Sequence, residues 1–255
     1  MSGRRRVLVT GATKGIGRAV AVAFAGTGAR VAIHHRGDPA AAGRTRAHLA
    51  GDGHVLVTGD LSDSSRVHRI VDEAFGALGG LDVFVNNAAM APNPSVRHPV
   101  LESSAEHWAS VWQGMVDVNL LSAAHLMHAV AGHLVRQGTG GSIVNIGSRG
   151  AFRGEPDFPA YGATKAAVHA LGQSLAVSLA PHDISVASVA PGFVSSERQA
   201  PRLAGPEGDG LRAASPFGRV GTPQEVAAAV LYLASGEARW ASGTVLDLNG
   251  ASYLR

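Results

Sequence analysis

Seven short runs rich in β-branched residues recur along the chain, with longer helical patterns between them, and this alternation narrows the possible folds sharply. The runs are RVLVT (6–10), RVAIHH (30–35), HVLVT (54–58), LDVFVN (81–86), SIVNI (142–146), ISVASVA (184–190) and TVLDL (244–248). Helical patterns fall near 15–27, 39–50, 63–78, 104–137, 160–180 and 223–235. Strands that are apolar at nearly every position are buried on both faces, which a parallel sheet beneath helices provides. Parallel neighbours need long crossovers, and helices of this length supply them. The pattern predicts a doubly wound α/β architecture, a seven-stranded parallel sheet with helices on both faces. No repeat or composition break divides residues 1–255, so a single domain is expected. The segment 193–219, rich in Pro, Gly and charge, is long for a connector and reads as a lid or binding segment.

The first strand runs into the first helix through VLVTGATKGIGRAVAVAFA, with glycines at 11, 15 and 17. A tight turn without side chains gives a diphosphate access to backbone N–H groups, and the helix N-terminus behind it favours an anion. Strand, spacing and helix together predict a dinucleotide site. In an NAD site an acid at the end of the second strand bonds the ribose 2′-OH. Here that strand ends His34-His35-Arg36, with no acid before Asp38. Arg36 and Lys14 suit a 2′-phosphate, so NADPH is expected over NADH. His34 and His35 read as a solvated strand end.

In FPAYGATKAAV (158–168), Tyr161 and Lys165 are spaced to share one helix face. A phenol titrates at about 10, and a neighbouring ammonium favours the phenolate. Only two lysines occur in the chain, Lys14 and Lys165, against twenty arginines, so neither position reflects a general preference for lysine.

The chain resembles the short-chain dehydrogenase/reductase family over essentially its whole length. TGATKGIG (10–17), GDLSD (59–63), NNAA (86–89), VNL (118–120), IGS (146–148), YGATK (161–165) and APG (190–192) carry the resemblance in register. It implies a Rossmann-type fold and a site assembled as follows. Gly11, Thr13, Lys14, Gly15, Ile16 and Gly17 form the phosphate turn, with Arg36 beside the adenosine ribose. Asp60 and Leu61 meet the adenine, and Asn86 and Ala88 lie under the nicotinamide ribose. Pro191, Gly192, Val194 and Ser196 face the carboxamide side. Ser148 bonds the substrate oxygen, Tyr161 transfers the proton, and Lys165 holds the ribose and lowers the Tyr161 pKa. Asn119 positions a water that links Lys165 to solvent.

Three positions depart from the family pattern: Ala89 replaces a glycine, Ser196 replaces a threonine, and Trp108 precedes the expected Trp112 by one turn. Ala89 implies a slightly altered turn. His125, His128 and His133 share one predicted helix without a metal-binding spacing, so they read as a subunit-contact face and no metal is expected. Arg149 and Arg153 flank the site, either to meet an acidic substrate or as surface charge.

With no cysteine, thiolate chemistry and disulfides are excluded. A formal charge of +3 with scattered arginines argues against nucleic acid. No leader and no run of ~18 apolar residues is evident, so a cytoplasmic protein away from membranes is expected. The resulting expectation is an NADPH-dependent reductase of a small ketone, or the reverse alcohol dehydrogenase. A 3-oxoacyl-acyl-carrier-protein reductase is the alternative, and a catalytically silent dinucleotide sensor a third. Carrier docking fits poorly, because Val177 and Ser178 stand where a basic residue is usual, although Arg136 supplies part of such a surface. The resemblance further implies a homotetramer.

Overall fold

Local signals in the sequence start and stop each element. In the computed structural model, which describes residues 4–255, β1 (Arg6–Val9) leads through the glycine turn into α1 (Gly15–Gly26). After β2 (Arg30–His35) comes α2 (Pro39–Ala47), opened by Pro39 and by the Asp38 carboxylate accepting from the Ala41 N–H at 2.8 Å. β3 (Val55–Thr58) precedes α3 (Ser64–Leu78), capped by Asp63 at its start and by left-handed Gly79 at its end. β4 (Val83–Asn86) leads by a long loop to α4 (Ala105–Met115), a π-helical turn (Val116–Leu121) and α5 (Ser122–Gln137). β5 (Gly141–Ile146), α6 (Gly150–Arg153), α7 (Pro159–Leu179) and β6 (Ile184–Pro191) follow. Residues 193–219 contain two short helices, α8 (Ala200–Ala204) and α9 (Gly208–Ala213). The chain ends with α10 (Pro223–Leu233), started by a Thr222–Glu225 capping box, and β7 (Val245–Leu248).

All seven strands are parallel, in the order β3-β2-β1-β4-β5-β6-β7. The order reverses between β1 and β4, which opens a crevice above their C-terminal ends. Strand alternation feeds two cores. Val7 and Val9 pack with Phe24 and Val230 on the α1/α10 side, while Leu8 and Phe84 pack with Leu126 and Leu134 on the α3/α5 side. Each fully buried side chain of this size contributes about 2 kcal/mol.

Two sequence expectations change here. Because α4, the π turn and α5 run on as one helix of 33 residues, Ala105–Gln137, it contains a stretch long and apolar enough to cross a membrane by length and composition. Its apolar residues pack instead on the chain's own elements: Met115, Leu126, Met127, Val130 and Leu134 are fully buried, and the helix lies against α3 and α7. Ala89, in turn, has no left-handed φ; among the described residues the non-glycines that do are Asp183 and Ala251, so alanine is accommodated there without left-handed strain.

Candidate active site

Every residue expected at the site lies at or beyond the C-terminal end of a strand, or on α7 and the π turn beside those ends. The phosphate turn depends on two kinds of glycine. Gly11 and Gly15 have φ of +62° and +53°, which side chains disfavour, and a Cβ on Gly17 would come within 2.4 Å of the Gly11 carbonyl. The turn is braced from several directions. Asn87 Nδ2 donates to the carbonyls of Thr10 (2.8 Å) and Gly11 (3.1 Å), and Thr10 Oγ1 accepts from the N–H groups of Asn87 and Ala88. Arg18 and Thr45 donate to the Thr13 carbonyl.

His34 completes the bracing. Its Nδ1 accepts from the Gly11 N–H at 3.2 Å, and Nε2 donates to the Gly59 carbonyl at 3.0 Å. Burial holds its pKa down at about 4, since a charged ring would be desolvated and would lose its acceptor. The solvated strand end expected for His34 and His35 is therefore wrong: they are 2% and 7% exposed. A strand reaching this far under the phosphate turn buries its final residues.

No side chain of Lys14 caps α1. Instead Glu197, from the segment after β6, accepts from the Gly15 N–H at 3.0 Å and from Arg18 Nη1 at 2.8 Å. The same segment brings the Ser196 Cβ within 3.4 Å of a Cβ built on Gly15. A carboxylate here stands in for an anion, and the positive-φ, side-chain-free turn around it fits a diphosphate. Lys14 and Arg36 are exposed beside the turn and at the end of β2. Asp38, two residues on, lends its Oδ1 to the Ala41 N–H as the cap of α2. Asp60 is held below its usual carboxylate range, chiefly by the Ser62 N–H and with Arg36 adding attraction. Leu61 is buried beside it.

Asn86 differs from expectation. Its amide is 6% exposed and donates to Asn145 Oδ1 at 3.0 Å, joining β4 to β5. Its side chain is turned into the sheet, and the amide that supports the site is that of Asn87, its neighbour in the NNAA run. Asn119 sits on the π turn, the widened turn that marks many functional sites. Its Oδ1 accepts from the Met90 N–H at 2.7 Å and its Nδ2 donates to the Met90 carbonyl at 3.0 Å. Nδ2 also lies 3.3 Å from Thr164 Oγ1, so the side chain pins the loop after β4 to α7.

Tyr161 and Lys165 face the end of β5 from α7. The neighbouring Ser148 hydroxyl favours ionisation of the Tyr161 phenol, but burial is the larger effect and raises the Tyr161 pKa. Lys165 donates to the Ile146 carbonyl at 2.8 Å, and its Nζ is 5.8 Å from the Tyr161 ring centre. Burial brings Lys165 down to about 8, with repulsion from Arg198 adding to the effect. The expected lowering of Tyr161 by Lys165 is therefore not seen: the two groups share a dry environment that disfavours charge on both. One turn farther along α7, His169 is 3% exposed, stacks on Phe152 at 5.4 Å, and is held at about 4 by burial.

The flanking arginines separate. Arg149 is buried and bonds Ser252 in the C-terminal segment, away from the site, whereas Arg153 is exposed on α6. An open groove of about 570 Å³ runs between the 150–156 segment and the Pro159, Gly162 and Ala163 face of α7, without Ser148, Tyr161 or Lys165 in its walls. The helix-face histidines partner within the chain: His68 of α3 lies 6.2 Å from His125 and 5.6 Å from His128, and His133 bonds Asp72 at 2.6 Å. Part of the face expected at a subunit contact is thus covered by α3. Among the described residues no three His, Asp or Glu side chains group to hold a metal.

A family profile described as enoyl-(acyl-carrier-protein) reductase matches residues 11–250. An L-rhamnose 1-dehydrogenase (NAD(P)(+)) of a Sphingomonas species is 36% identical over 98% of this chain and 96% of its own. The 3beta-hydroxysteroid dehydrogenase 1 of Eggerthella lenta is 34% identical, covering 98% and 94%. Among crystal structures, a 3-ketoacyl-(acyl-carrier-protein) reductase from Brucella melitensis complexed with NADH superposes with a TM-score of 0.86 at 28% identity, over 98% of each chain. A short chain dehydrogenase from Burkholderia cenocepacia in complex with NADP gives 0.86 at 31%, over 97% of each.

Proposed function

This chain belongs to the short-chain dehydrogenase/reductase family, and on that premise we propose that it reduces a small ketone with NADPH, or oxidises the corresponding alcohol. The observation that carries this reading is the convergence of Ser148 and Tyr161 beside buried Lys165, next to a turn built for a diphosphate. When bound, the nicotinamide supplies or accepts the hydride. The protein's groups do the rest. Ser148 donates to the carbonyl oxygen and fixes its position, and Tyr161, whose phenol is protonated at neutral pH, delivers a proton to that oxygen. Lys165 holds the ribose hydroxyls, and its charge is then set against the phenolate left after transfer. Gly11, Thr13, Lys14, Gly15, Ile16 and Gly17 hold the diphosphate. Arg36 meets the 2′-phosphate, Asp60 and Leu61 the adenine, and Ala88 the ribose. Pro191, Gly192, Val194 and Ser196 take the carboxamide side.

The preference for NADPH rests on exposed Arg36 and Lys14 and on Asp38 being occupied by its cap. Residues 193–219 serve as the substrate lid. Carrier-protein docking is not part of the proposal, since the end of α7 presents Val177, 80% exposed, and Ser178 rather than a basic side chain. A homotetramer in the cytoplasm completes the reading on family likeness.

The deciding experiment follows NADPH consumption with a panel of activated ketones, comparing native protein with Tyr161→Phe. Loss of the proton donor should lower kcat by about 10²–10⁴-fold while NADPH binding, read by fluorescence, persists. Equal turnover by both proteins rules out Tyr161 as the acid.

A further inference from the structure

We infer that His98, in the wall segment after β4, is a positioning residue that sets the first turn of α7 and with it the Tyr161 phenol; the inference rests on the reductase reading above. The helix lacks a cap of its own. Phe158 at its N-cap offers no side-chain acceptor and Pro159 has no N–H, so the Ala160 N–H, one residue before Tyr161, needs an acceptor from elsewhere. His98 Nε2 takes it at 3.0 Å. A peptide N–H only donates, so Nε2 is unprotonated and the ring hydrogen sits on Nδ1, which donates to the Val96 carbonyl at 2.7 Å.

The imidazole is fully buried, edge-on to Trp108 at 5.7 Å and Phe158 at 6.4 Å. The His98 backbone N–H donates to the Asp157 carbonyl at 2.9 Å, and Arg97 pairs with the Asp157 carboxylate at 2.8 Å. Backbone, ring and the preceding side chain therefore fasten this wall segment to the entry of α7. Ser148 belongs to a different element, the turn that follows β5, where its hydroxyl accepts from the Gly150 N–H at 3.0 Å. Any rotation of the first turn of α7 thus moves the phenol relative to Ser148, and misplacement of about 1 Å at a reacting group can cost 10²-fold in rate. Met90, Val96, Trp112 and Tyr161 pack in the same cluster, so the wall that borders the substrate and the proton donor share a support.

The test compares His98→Ala with His98→Gln, whose Oε1 can restore an acceptor near the Nε2 position. Three readouts are needed: ketone-dependent kcat, NADPH affinity by fluorescence titration, and amide exchange of Ala160 and Tyr161. The expectation is a fall in kcat of about 10- to 100-fold in His98→Ala. NADPH affinity should stay within about twofold and exchange of the two amides should quicken, and His98→Gln should recover most of both losses. The pH profile of alcohol oxidation should shift in His98→Ala alone, because the Tyr161–Ser148 contact changes. A kcat within twofold of native in His98→Ala, or equal losses in both variants, overturns the inference. If native protein turns over no ketone, the reductase reading falls by itself; the cap is then judged by exchange, and unchanged rates at Ala160 and Tyr161 overturn it.

Discussion

Lys165 and Tyr161 stand one turn apart, yet burial governs both their proton affinities. The Y-x-x-x-K spacing was legible in the sequence, but the dryness that decides their charge was not, because it comes from elements distant in the chain. Asn86 and Asn87 teach the same lesson: neighbouring asparagines on a strand end point to opposite faces, and only the register of β4 on β5 says which one enters the sheet. His34, His98 and His169 carried no motif at all. Each is recognisable only once its buried partners or packing are known. Arg36 is the reverse case, a residue whose proposed role follows from charge at a known strand end. Arg36→Asp should weaken NADPH binding by about tenfold or more and spare or improve NADH. Paired titrations with the two cofactors check this, and unchanged discrimination would refute the charge argument.

The N-terminus of α1 and the segment after β6 meet through Glu197, and neither element reveals this contact in its own sequence. The carboxylate satisfies the Gly15 N–H and pairs with Arg18; its own backbone N–H, then Gly15 and Arg18, hold its pKa below the usual range. A diphosphate entering the same turn competes for those donors and is repelled by the charge. Glu197→Gln should therefore tighten NADPH binding by about three- to tenfold, with the glutamine amide still able to accept from Gly15. Calorimetric titration of the two proteins measures it, and equal or weaker affinity in the variant counts against the competition. Sequence pattern placed the long helix 104–137 well but missed its π turn, because an inserted residue at 116–121 leaves the apolar periodicity readable on either side. The segment 193–219 was legible as something other than a connector, while α8 and α9 were hidden by their Pro- and Gly-rich composition.

For the molecule as a whole, the seven strands and their parallel sense followed from alternation alone, since a central strand such as Val7–Val9 has no polar face to offer water. Strand order needed family likeness, because periodicity carries no information about which strands are neighbours. Stability against acid is also a whole-chain property. His34 and His169 titrate near 6.5 when unfolded and near 4 when folded, so between those values the unfolded chain binds protons that the native one refuses. Their contribution is intact above pH 6.5 and is lost as pH falls toward 4, at up to about 1.4 kcal/mol per pH unit for each. The urea midpoint should accordingly drop between pH 7 and pH 5. A flat midpoint over that interval would show that the two rings are not kept neutral by the fold.

Arginine's near-monopoly of basic positions has a practical outcome. Of the two side-chain amines, Lys165 is 5% exposed and engaged with Ile146, whereas Lys14 is exposed on the phosphate turn. An acylating label, a biotin ester or an aldehyde-activated bead therefore finds its one accessible lysine at the mouth of the cofactor site. Conjugation through lysine therefore amounts to modification at the proposed cofactor site, and specific attachment elsewhere calls for an introduced cysteine, which this cysteine-free chain leaves unambiguous.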